Sequence, residues 1–166
     1  MKNVNRLASS LLAAIGSMSD GGGVARRERV ARVASIAAGF AALAGGEENA
    51  VALVESLHEG VAVPLTYPAA HPGDAPRMVV IDVPTAPMDW HDVRMSLIIA
   101  RNALMGVGVL RPSGEQLHAA LMGAEVAVPG GRRVSFQGVL SMRAGGLHWG
   151  RIASEGFQRT EVSRID

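Results

Sequence analysis

Residues 125–136 read EVAVPGGRRVSF, two short extended segments, Glu125–Val128 and Arg133–Phe136, on either side of Pro129-Gly130-Gly131. Proline presets one turn dihedral and glycine accepts the left-handed backbone that a tight return demands, so the stretch reads as a β-hairpin. The segments around it read as helix, and the fold class that follows is α+β, mostly helical.

Immediately upstream, Ser113 and Gln116 have the spacing of a capping box at the start of a short helix ending near Gly123. Before that, Asp89 is placed to cap a helix over Trp90–Leu104, with Asp92 near its third position and Val93, Leu97, Ala100 and Leu104 spaced to share one face. Gly106 and Gly108 end it. Downstream, two short helical stretches, Gly138–Ala144 and Trp149–Ser154, precede a tail from Gln158 that reads as a third.

Further from the hairpin, Val61–Tyr67 and Met78–Val83 are extended segments separated by the turn His71-Pro72-Gly73-Asp74-Ala75-Pro76. Pro64 lacks an N–H and confines the first to a sheet edge, whereas Val79-Val80-Ile81 is continuous enough for a covered strand. Pro84 and Pro87 close this half. The expected organisation is an N-terminal helical part with two short strands over 1–83 and a C-terminal helix/β-hairpin/helix unit over 84–166.

The N-terminal part begins with VNRLASSLLAAIGSM, Val4–Met18, behind Lys2 and Arg6. A basic start and an apolar run outline a secretory signal, but Ser9 and Ser10 interrupt it and no A-x-A site follows, so an ordinary first helix is expected. The loop Ser19-Asp20-Gly21-Gly22-Gly23 then separates a second helix, Val24–Ala44, which opens with Arg26, Arg27, Arg29 and Arg32. Cations at the positive end of a helix dipole call for something negative, which is expected to be Glu28 and the acids of the middle segment, with an anion or partner contact at these four Arg as the alternative. A third helix, Glu47–His58, carries Glu47 and Glu48 in its first turn and Gly60 as its C-cap.

Composition narrows the function. The 166 residues are 48% hydrophobic and 19% charged, which excludes a disordered chain, and the absence of Cys removes thiolate and disulfide chemistry. The net charge of +1 conceals a segregation: +4 over Met1–Gly45, −6 over Gly46–Glu125 and +3 over Val126–Asp166. Basic ends flanking an acidic middle are expected to attract one another in the fold or in a dimer. The five His residues form no HExxH pair, no Ser lies in G-x-S-x-G, and the glycines make neither GxGxxG nor a P-loop. The string Asp89-Trp90-His91-Asp92 is accounted for by helix capping. No catalytic residue, metal or cofactor is therefore expected, and the chain is read as no enzyme.

Two resemblances add to this reading. Residues 143–165, RAGGLHWGRIASEGFQRTEVSRI, resemble a bacterial helix-turn-helix with one residue deleted between Ala153 and Gly156. The resemblance implies a recognition helix presenting Gln158, Arg159, Thr160 and Arg164 to DNA. The broader segment from Pro84 to about Phe157, ending in Arg143-x-x-Gly146-x-x-Trp149-Gly150-x-Ile152-Ala153, is similar to a family of small uncharacterised proteobacterial proteins that are usually exported. That second likeness implies that Trp149, Ile152 and Ala153 are a folding element. The resulting expectation is a bacterial interaction module acting through contacts with a protein partner, possibly itself, with DNA binding as the alternative. A cytoplasmic location is expected, or a periplasmic one if the N-terminal run acts as a signal, and no apolar run is long enough to span a membrane.

Overall fold

The computed structural model describes residues 20–69, 73–155 and 160–162, and the chain divides into two units, 1–35 and 36–166. The expected first helix over Val4–Met18 lies outside the described residues. Helix α1 occupies Asp20–Ala38, beginning in the first unit and ending in the second. It starts at Asp20 rather than Val24, so the glycine triplet is helical instead of a loop. Each glycine costs about 1 kcal/mol in a helix, but the Ala- and Arg-rich residues that follow favour helix. The helix also stops before Ala44: turns at Gly39 and Phe40 separate it from α2, Ala41–Ala44.

The second unit continues with α3 (Glu47–Glu59), the strands β1 (Val63–Tyr67) and β2 (Arg77–Ile81), α4 (Trp90–Met105) and α5 (Gly114–Met122). Then come β3 (Ala124–Val128), β4 (Arg132–Phe136), α6 (Val139–Ala144), α7 (Trp149–Glu155) and β5 (Thr160–Val162). Pro84 and Pro87 lie inside this unit. The α+β class is what the described residues form, with one antiparallel sheet ordered β1-β2 and another ordered β3-β4-β5.

Local signals position these elements as read from the residues. Gly60 is left-handed at the end of α3, and Asp89 Oδ1 accepts the N–H of Asp92 at 2.8 Å. The hairpin turns through Gly130 at φ +85° and Gly131 at φ +68°, conformations that residues with a Cβ rarely adopt. Val93, Leu97, Ala100 and Leu104 are all buried, which confirms the stripe on α4. The helix packs against α3, α5, α6 and α7, and Leu53, Leu57, Leu65, Ile81, Leu117, Leu121, Leu140 and Ile152 are fully buried as well.

The last strand departs from the expectation. Thr160–Val162 pairs antiparallel with β4, Thr160 opposite Ser135, where a recognition helix was expected. Thr and Val are stiff at χ1 and favour extended backbone, and β4 offers an unpaired edge for them. Two ion pairs join the acidic middle to the basic C-terminal segment, Asp92–Arg143 at 3.1 Å and Glu125–Arg133. The expected attraction between charged segments is thus built into the fold at these points.

Candidate functional site

The β1-β2 ribbon has two outer edges, and one side chain closes the first. Asn49, in the first turn of α3 and 9% exposed, donates from Nδ2 to the carbonyl of Thr66 at 2.9 Å and accepts the Thr66 N–H on Oδ1 at 3.0 Å. Its Nδ2 also donates to the Ala44 carbonyl at 2.9 Å. The amide therefore stands where a neighbouring strand's peptide would stand, and β1 cannot pair further at this point.

That same contact reveals which way β2 faces. Thr66 points its N–H and C=O away from β2, so the pair Thr66–Met78 exchanges no hydrogen bond across the ribbon, and neither does Pro64–Val80 two residues on. Met78 and Val80 consequently direct their backbone groups outward from the free edge of β2. No hydrogen bond from the described residues reaches those groups. Their side chains share the solvent face, Met78 at 68% and Val80 at 47% exposed. The expectation that residues 79–81 form a covered strand is corrected accordingly: only Ile81 is fully buried, because the face of the ribbon that carries Pro64, Thr66, Met78 and Val80 is exposed.

Across α5 lies the outer edge of β3. Gln116 Nε2 donates to the Ala127 carbonyl at 2.9 Å, so Ala127, and by the alternation of the pleat Glu125, turn their backbone groups away from β4. Between the edges of β2 and β3 runs a groove of about 720 Å³ whose floor includes Gln116 and His118 of α5. Its charges are largely matched in place, Glu125 by Arg133 and Glu115 by Arg77 at 3.6 Å.

At the Arg77 end, the groove adjoins a cavity of about 390 Å³ lined by Tyr67, Arg77 and Arg111 and by the start of α5. The capping box of that helix is complete: Ser113 Oγ accepts the Gln116 N–H at 3.2 Å, and Gln116 Oε1 accepts the Ser113 N–H at 2.9 Å. The Tyr67 ring is held edgewise between two glycines. A Cβ on Gly45 would lie 2.6 Å from its Cε1, and one on Gly114 2.6 Å from its Cε2, so both positions exclude a side chain. Tyr67 is 8% exposed, and its hydroxyl has no hydrogen-bond partner among the described residues. Burial pushes its pKa up to about 12.

The residues singled out from sequence lie elsewhere. Arg26, Arg27, Arg29 and Arg32 are exposed within α1, beyond its first turn, so the helix does not open with them and the dipole argument for an anion lapses. Gln158, Arg159 and Arg164 lie outside the described residues, and Thr160 is on β5. Trp149, Ile152 and Ala153 are brought together on α7, with Ile152 fully buried and Trp149 and Ala153 half-buried. Trp149 Nε1 donates to Asp92 Oδ1 at 2.6 Å, Arg143 reaches Asp92 Oδ2 at 3.1 Å, and its guanidinium lies 5.0 Å from the Trp149 ring centre. One carboxylate at the start of α4 thus clasps α6 and α7.

Beside this clasp, His58 stacks on Trp90 with ring centres 3.7 Å apart, and its Nδ1 donates to the Met88 carbonyl at 2.6 Å. Among the described residues no group of three His, Asp or Glu is placed to hold a metal, and no helix is long and apolar enough to cross a membrane. No family model matches the chain, and neither a curated protein nor a solved structure does.

Proposed function

We propose that the protein is a non-enzymatic interaction module that takes an extended segment of a protein partner as a third strand on β2. The observation that carries this reading is the pair of outward-facing peptide groups at Met78 and Val80, without a hydrogen-bond partner among the described residues and flanked by exposed apolar side chains. An open edge is a standing template for pairing, which proteins ordinarily block. Strand addition satisfies such groups and draws its affinity from main-chain hydrogen bonds, with alternate side chains supplying selectivity. The apolar Met78 and Val80 favour a segment with apolar residues on the matching face.

Replacing Val80 by proline removes the outward N–H while leaving every bond to β1 in place. Peptides selected from a random library on the wild-type protein are expected to lose binding to Val80→Pro with little change in the urea midpoint. Undiminished binding to that variant would refute the reading. Sedimentation equilibrium decides whether the partner is a second copy: a dimer dispersed by Val80→Pro identifies self-pairing through this edge.

A further inference from the structure

The cavity at the Arg77 end of the groove bears on which part of a partner is bound, an inference that rests on the strand-addition reading. A segment laid antiparallel on β2 runs from the Ile81 end toward Arg77, so its last residue arrives at the cavity. Arg77 and Arg111 both line that cavity, and Arg111 has no carboxylate partner among the described residues. The first turn of the nine-residue α5 faces the same space through Gly114 and Glu115. The capping box uses the N–H of Gln116, while those of Gly114 and Glu115 have no acceptor among the described residues. Tyr67 lines the same wall, and its buried hydroxyl has no partner among the described residues.

The Glu115 carboxylate lies 3.6 Å from Arg77 and offsets part of its charge, but Arg111, the second guanidinium, adds to the donors, and with the helix N–H groups and a phenol they match a carboxylate. We propose that the partner segment ends at this cavity, and that its free C-terminal carboxylate is bound there by Arg77, Arg111 and the first turn of α5. The cavity's remaining walls, Pro68, Val79 and Pro112, suit a terminal residue with an apolar side chain. An internal segment would bring a neutral peptide group where the carboxylate belongs and would have to continue past Arg77.

The test uses the full-length protein and two random heptapeptide libraries, one displayed with free C termini and one with both ends fused to the carrier. The best sequence from each is then synthesised as the acid and as the C-terminal amide. Enrichment from the free-ended library is expected, with the acid bound at least about tenfold more tightly than the amide. In Arg77→Ala/Arg111→Ala that preference should fall to about one while the amide keeps its affinity; Tyr67→Phe should reduce it less. Enrichment from the fused library, with acid and amide bound equally, would overturn the carboxylate site and leave strand addition standing. Failure of both libraries would overturn both, and a preference that survives in the double Arg variant would move the carboxylate elsewhere. Circular dichroism of each variant separates loss of binding from loss of fold.

Discussion

The two edges of the β1-β2 ribbon are treated oppositely. On β1 the exposed-edge problem is solved by Asn49, whose amide donates to and accepts from Thr66 in the manner of an adjacent peptide. On β2 the equivalent groups of Met78 and Val80 have no such guard among the described residues, and their own side chains are apolar rather than charged. Unsealed edges invite aggregation unless something occupies them. The contrast therefore sets an edge closed by the fold beside one left open among the described residues, within a single hairpin.

Proline scanning breaks this comparison most sharply. Val79 faces Leu65 across a hydrogen-bonded pair, so Val79→Pro should remove a ladder bond and cost about 3 kcal/mol or more in urea unfolding. Equal stabilities of Val79→Pro and Val80→Pro would show that the edge orientation is misassigned. Next in size, Asn49→Ala strips three hydrogen bonds and is expected to destabilise by about 2–3 kcal/mol, read from the shift in urea midpoint at constant slope.

A third effect concerns the end of β1. The Tyr67 pKa is raised to about 12 in the folded protein against an ordinary value near 10, so below pH 10 both states hold the proton and stability is unaffected. Between pH 10 and about 12 the unfolded chain loses its proton first, and stability should fall by at most about 1.4 kcal/mol per pH unit. Denaturation of Tyr67→Phe over the same range should lack that component of the decline. Smallest of all is Val80→Pro, which should change stability by less than about 1 kcal/mol because the lost N–H faced outward. That small cost paired with lost peptide binding is what the open edge requires.

Much of the frame was legible because it is set by near neighbours in sequence. The Asp89 cap, the Ser113–Gln116 box, the Gly60 stop and the Pro129-Gly130-Gly131 return each depend on residues a few positions apart. Pro64 likewise announced an edge. The features that define the candidate site depend on distant partners instead. Nothing near Asn49 signals that its amide reaches a strand 17 residues on, and the openness of β2 follows only from the sheet ending at two strands. Asp92 illustrates the same limit: its place in the first turn of α4 was readable, but not its bonds to Arg143 and Trp149 more than 50 residues later. Strand β5 is a tertiary outcome too, since Thr160–Val162 takes its hydrogen bonds from β4.

The central claim is that Met78 and Val80 present free backbone groups to a partner strand, and residue-resolved amide hydrogen exchange tests it directly. In the unbound protein Met78 and Val80 should exchange rapidly while Val79 and Ile81, bonded to β1, are protected. Saturation with a library-selected peptide should slow Met78 and Val80 to the rate of their neighbours. Protection of Met78 and Val80 before any peptide is added, or their continued rapid exchange in the complex, would contradict the account.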